Sequence, residues 1–181
     1  MDPLFALLVA LCLTLLFGAA AIAKLRDLAA FEATLAAYAL LPAPLVPAAS
    51  RLVPALETLL AVGWLVRLDD PLLAWASAAL LVGYALAMAV NLRRGRIDLS
   101  CGCSFGSSDP ISWWLVARNL ALALFALLPA LPASGRSLSI ADLTLAAAAV
   151  PALVFLHLAV QQLIANGTAM ARGRDPAGAE R

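Results

Sequence analysis

Charge is what this sequence has least of. Asp, Glu, Lys and Arg make up 13% of 181 residues, against about 25% in a typical soluble domain. The net charge of +1 gives no basic face of the kind nucleic acid requires, so nucleic acid is not an expected partner. Three cysteines and one histidine offer little to a zinc site, which usually takes four ligands. An odd cysteine count, with Cys12 alone in an apolar run and Cys101 separated from Cys103 by Gly102, is not a secreted disulfide framework.

What fills the chain instead is apolar: 64% of it. A water-soluble fold of this length leaves much of its chain at the surface and cannot hide that fraction. The expected solvent is lipid. A helix crosses the hydrocarbon core with about 20 mostly apolar residues. Five segments fit or nearly fit: Leu4–Ala23, Arg51–Val66, Pro71–Asn91, Pro110–Leu128 and Ile140–Ile164. The first lacks the basic n-region of a signal peptide, carrying Asp2 instead, and reads as a retained span. Asp70-Pro71 and Asp109-Pro110 read as cap and first-turn proline. Ser50 reads as an N-cap, and Ser139 with Asp142 as a capping box. Trp64 is expected at an interface.

Between the first two spans, Leu28, Phe31, Leu35 and Tyr38 recur at helical spacing. This predicts a short interfacial helix rather than a crossing. The fold class is thus all-α, a polytopic membrane bundle of about five spans plus one interfacial helix. The domain runs over residues 1–165, with a disordered polar tail over 166–181.

Positive charge is uneven along this plan. The side that ends the first span carries Lys24, Arg26, Arg51, Arg93, Arg94, Arg96, Arg172, Arg174 and Arg181, and the other carries Arg67 and Arg136. The positive-inside rule makes the first side cytoplasmic. The expected location is the plasma (inner) membrane, with the chain crossing several times.

The sharpest chemical feature lies on that side: Ser100-Cys101-Gly102-Cys103-Ser104-Phe105-Gly106. Thiols at i and i+2 can close a disulfide where the backbone turns, and Gly102 removes the Cβ that resists the turn. So small a ring is strained and therefore oxidising and labile. Arg93, Arg94 and Arg96 nearby favour the thiolate. Spacing alone also admits two inert thiols in a turn, or a soft-metal site.

Polar residues within the spans gather toward the same side: Glu57, Asn91, Arg118, Asn119, His157, Gln161 and Gln162. Charges inside lipid are costly and usually face a partner or cavity, so Glu57 and Arg118 are expected to pair across the bundle. His157 reads as a packing histidine, the Asn and Gln residues as interhelical glue, and Cys12 as a small buried hydrophobe.

These residues resemble the MauE family of methylamine utilisation membrane proteins, within the wider DoxX-like group. One stretch is Gly18-Ala-Ala-Ala-Ile-Ala-Lys24-Leu25, Tyr38-Ala-Leu-Leu-Pro42 and Pro54-Ala-Leu-Glu57. The more specific one is Asn91-Leu-Arg-Arg-Gly95-Arg96, Cys101-Gly102-Cys103, Ile111-Ser112-Trp113-Trp114 and Arg118-Asn119. The resemblance implies a membrane protein linked to thiol redox. It would act beside a thioredoxin-like partner in maturing a disulfide-containing client such as the methylamine dehydrogenase small subunit. Cys101 and Cys103 would be the thiol pair, in the loop that contains Gly102 and Gly106, with Glu57, Asn91, Arg118 and Asn119 as the surrounding polar positions. Ser104 departs from the family pattern, in which Phe-Gly follows the second cysteine directly. Two other readings remain open: a non-catalytic assembly scaffold, and an oxidoreductase using quinone, the one cofactor in view. A cytoplasmic thiol pair also sits uneasily with disulfide formation, which belongs to oxidising compartments.

Overall fold

A computed structural model describes residues 2–68, 70–97, 99, 110–131, 136–152, 154–155 and 159. They divide into two units, Met1–Leu138 and Ser139–Arg181. Every regular element described is helical: α1 (Pro3–Arg26), α2 (Leu28–Tyr38), α3 (Val46–Val66), α4 (Pro71–Arg93) and α5 (Trp113–Ala126), with one-turn 3₁₀ segments at Ala43–Leu45 and Leu128–Ala130. In the second unit, α6 runs over Ile140–Ala152.

Among the described residues, four helical stretches are long and apolar enough to cross a membrane: Pro3–Arg26, Ala43–Val66, Pro71–Arg93 and Trp113–Ala130. Of the fifth expected span, the Ile140–Ala152 portion is a shorter apolar helix. Most of its remainder, with the tail, lies outside the described residues. The Ser139 capping box is present: Ser139 N–H donates to Asp142 Oδ2 at 2.8 Å, and Asp142 N–H donates to Ser139 Oγ at 3.3 Å.

Local chemistry sets the helix ends. Asp2 and Asp70 accept the N–H of Leu4 and Leu72, each at 2.8 Å, with proline in the first turn. Asp27 ends α1 and caps α2, accepting from Ala30 N–H. Two boundaries differ from the sequence expectation. α3 starts at Val46, with Pro47 in its first turn, because proline at that position forfeits no helical hydrogen bond. Ser50 is therefore inside the helix, not its cap. α5 starts at Trp113, where Ser112 accepts the N–H of Leu115, so Pro110 lies before the helix.

α1, α3, α4 and α5 alternate in direction. One end of the bundle holds the close of α1 and α4 and the start of α3 and α5. The half farther from that end is an apolar core of Val9, Leu13, Phe17, Leu60, Trp64, Ala74, Leu81 and Ala126. Trp64 is wholly buried there and donates its indole N–H to Ser77 Oγ at 2.9 Å. It is not an interface tryptophan: burial suits the ring because the hydroxyl satisfies its one polar atom. Large apolar side chains such as Leu59, Val66, Leu72 and Leu124 remain exposed on the outer faces, as lipid contact allows.

α2 is too short to span, at about 1.5 Å per residue. It lays Phe31 and Tyr38 on the bundle, the stripe expected of it, and ends at Ala39 in the left-handed region.

Candidate functional site

The half of the bundle nearer the close of α1 and α4 is built differently. Glu57, in the middle of α3, is completely buried. Its Oε1 accepts from Lys24 Nζ of α1 at 2.6 Å and from the Tyr84 hydroxyl of α4 at 2.7 Å. Lys24 is itself 3% exposed, and its ammonium lies 5.4 Å from the ring centroids of both Phe31 and Tyr84. A carboxylate and two ring faces together replace the water the ammonium has lost. Glu57 Oε2 is buried with no hydrogen-bond partner among the described residues, so the carboxylate keeps an unused acceptor toward them inside the bundle.

A seven-residue spacing places these groups. Seven residues are close to two helical turns, so Ser50, Glu57 and Trp64 share one face of α3, while Ser77, Tyr84 and Asn91 share one face of α4. The helices are antiparallel. Trp64 meets Ser77, Glu57 meets Tyr84, and the same register brings Ser50 level with Asn91. On this last level Ser50 donates to Glu32 Oε2 of α2 at 3.2 Å. Asn91 donates to its own helix at Ala87 C=O and accepts from the Arg96 guanidinium at 3.4 Å.

α4 then stops in a tight glycine turn. Gly95 has φ +74, its N–H reaches Leu92 C=O, and Arg96 N–H reaches Asn91 C=O. This is a Schellman cap with glycine at the left-handed position. The chain next passes Leu99, whose C=O accepts Ile111 N–H at 2.9 Å. Ile111 is buried with Tyr38, Ala85, Met88, Leu115 and Val116, and Leu99 packs against that cluster. The two residues flanking the Cys-Gly-Cys stretch are thus tied together and seated on α2, α4 and α5. Cys101, Gly102, Cys103 and Gly106 lie outside the described residues, as does His157. Trp113 and Trp114 start α5 half-exposed.

The structure brings Glu57, Asn91 and Asn119 into the interior as expected, but it pairs Glu57 differently. Its ion-pair partner is Lys24, not Arg118. The reason is reach: Lys24, two turns past Phe17 on the buried face of α1, arrives against the α3 carboxylate, while Arg118 is half-buried on α5, its Nε without a partner among the described residues. Asn119 donates to Leu115 C=O of its own helix at 2.9 Å, so this donor bond stays within α5. Cys12 is a half-buried free thiol. Sequence reasoning overlooked Tyr84 and the Trp64–Ser77 pair, which the matched seven-residue spacings in α3 and α4 could have revealed. Among the described residues no His, Cys, Asp and Glu cluster forms a metal site.

The family model for "Methylamine utilisation protein MauE" matches residues 2–132. The chain is 40% identical over 116 residues to the methylamine utilization protein MauE of Paracoccus denitrificans, covering 64% of this chain and 62% of that protein, less than two thirds of its length. The protein of the same name from Methylophilus methylotrophus is 38% identical over 160 residues, covering 86% of this chain and 84% of its own length. That from Methylorubrum extorquens is 37% identical over 140 residues, covering 74% and 75% respectively. No solved structure matches the chain.

Proposed function

The chain belongs to the MauE family, and from that premise we propose that it serves methylamine utilisation as a membrane thiol–disulfide exchange component, with Cys101 and Cys103 as the exchanging pair. The observation that carries this reading is the pairing of the described residues on either side of the cysteine stretch. Its flanks, Leu99 and Ile111, are hydrogen-bonded at 2.9 Å and packed on the buried cluster, which supports a reactive loop held on a rigid base.

In the proposed step a client thiolate attacks the Cys101–Cys103 disulfide and forms a mixed disulfide. The client's second thiol attacks that bond and releases the pair as a dithiol. Two electrons and two protons pass from client to pair, and the client leaves with a disulfide. A thioredoxin-like protein in its disulfide form restores the pair by the same exchange in reverse. Arg93, Arg94 and Arg96 precede the pair in sequence and favour the thiolate. Lys24, Glu57 and Tyr84 act as the fixed base under α2. We read the membrane as the plasma membrane, and the labelling below assigns the side that bears the pair.

The test uses a Cys12→Ser background and a membrane-impermeant maleimide, applied to intact cells and to inverted vesicles, each with and without prior reduction. Labelling that requires reduction, in one preparation only, is the expected result and identifies the side. Client maturation should fail in Cys101→Ser and Cys103→Ser variants. Maturation that survives in both would overturn the exchange reading and leave the chain as an assembly scaffold.

A further inference from the structure

The two ends of the bundle handle their arginines in opposite ways. At the end holding Arg67 and Arg136, each finds a carboxylate: Arg67 with Asp70 at 3.0 Å and Arg136 with Asp2 at 2.9 Å. Arg26, Arg51, Arg93, Arg94 and Arg96 are exposed at the other end. None of them forms an ion pair among the described residues. The described carboxylates nearby have other bonds: Asp27 caps α2, Glu32 accepts from Ser50, and Glu57 is inside with Lys24.

Arg94 and Arg96 are also held in place by neutral groups. The Arg94 guanidinium donates to Ala39 C=O at 3.4 Å, and that of Arg96 donates to Asn91 Oδ1 at 3.4 Å. The Gly95 turn sets the chain path between them. A guanidinium has five N–H donors, so one bond to a neutral acceptor orients each group and leaves its charge and most donors available. The α4 C-terminus carries roughly half a negative charge, too little to cancel three arginines. Trp113 and Trp114, half-exposed at the same end, mark the headgroup level of a bilayer.

We propose that Arg94 and Arg96, with Arg93, Arg51 and Arg26 around them, bind the phosphodiester headgroup of an anionic phospholipid. The planar fork of arginine matches phosphate oxygens two at a time. The exposed apolar flanks of α3 and α4, including Leu52, Leu56, Leu86 and Val90, offer acyl chains a surface below the headgroup. The site does not depend on the thiol reading.

The test is lipid retention by the full-length protein, extracted in mild detergent and offered equal amounts of phosphatidylglycerol and phosphatidylcholine, read by native mass spectrometry. The wild-type protein should retain phosphatidylglycerol preferentially, by about tenfold or more for two well-placed arginines near an anionic headgroup. The Arg94→Gln, Arg96→Gln double variant should lose most of that preference. The Arg67→Gln, Arg136→Gln double variant, at the self-paired end, should keep it. Equal retention of the two lipids by wild type would overturn the proposal without recourse to any variant, and would turn attention to an acidic protein surface. An equal loss in the two double variants would also overturn it. A parallel arm with inorganic phosphate alone should not displace phosphatidylglycerol; displacement at millimolar phosphate would reassign the site to a free anion.

Discussion

The apolar half of the bundle and the polar half solve the same packing problem by different means. In the first, Val9, Leu13, Phe17 and Leu60 fill space, and the polar contacts join neutral groups, the Trp64 indole to the Ser77 hydroxyl and the Thr14 hydroxyl to the Ala61 carbonyl. In the second, Lys24, Glu57 and Tyr84 are buried or part-buried and depend on one another. Space-filling tolerates exchange of one apolar shape for another of equal volume. A buried ion pair does not tolerate loss of one member, because the survivor keeps its charge and loses its compensation.

The largest effect should follow from breaking that dependence. Lys24→Met leaves Glu57 unpaired and should lower the unfolding free energy by about 3–5 kcal/mol, whereas the Lys24→Met, Glu57→Met double variant should recover most of the loss. Unfolding in mixed micelles would measure both, and a double variant no better than the single would show that the pair is not the source. A middle-sized effect should come from Tyr84→Phe, which removes a hydrogen bond to a charged acceptor worth about 1.5–3 kcal/mol. Leu13→Met in the apolar half, a volume-conserving swap, should cost under about 1.5 kcal/mol; the reverse order in thermal unfolding would erase the contrast between halves.

The smallest effect lies at the self-paired end. The Arg67 side-chain hydrogen bond, followed by the Leu72 backbone N–H, holds the Asp70 carboxyl below its ordinary range. A depressed folded value means the contribution is full above the ordinary carboxylate value and fades as pH falls through the folded one. Asp70→Asn keeps a capping side chain and should slightly flatten the acid limb of a thermal-midpoint profile. Identical limbs would remove Asp70 from the acid response.

Much of this architecture was legible from runs of apolar residues, because lipid admits few alternatives to a helix of adequate length. α1, α3 and α4 fall within a few residues of their expected spans. The stripe from Leu28 to Tyr38 gave α2. The boundaries that moved did so at prolines: Pro47 joined a first turn, and Pro110 stayed outside one. The partner of Glu57 was harder to read. Depth along the sequence made Arg118 and Lys24 both eligible, and only the rotation of α1 against α3 selects Lys24. Tyr84 was hidden for another reason: a tyrosine in an apolar helix looks like packing until its hydroxyl has an acceptor. The cysteine stretch, the clearest chemical signal in the sequence, lies outside the described residues, so its support comes from Leu99 and Ile111 at its flanks.

The Lys24–Glu57 pair also bears on how the chain enters a bilayer. The α3 region has a mean hydropathy of 1.5 against 2.6 for α1, and it carries a carboxylate at its centre. A charge there disfavours insertion by roughly 2.5–3.5 kcal/mol on translocon scales. Chain order delivers the cation first: Lys24 leaves the ribosome with α1, ahead of the helix that needs it. α1 and α3 would then partition into lipid as one electroneutral hairpin, which makes the second span a client of the first during biogenesis.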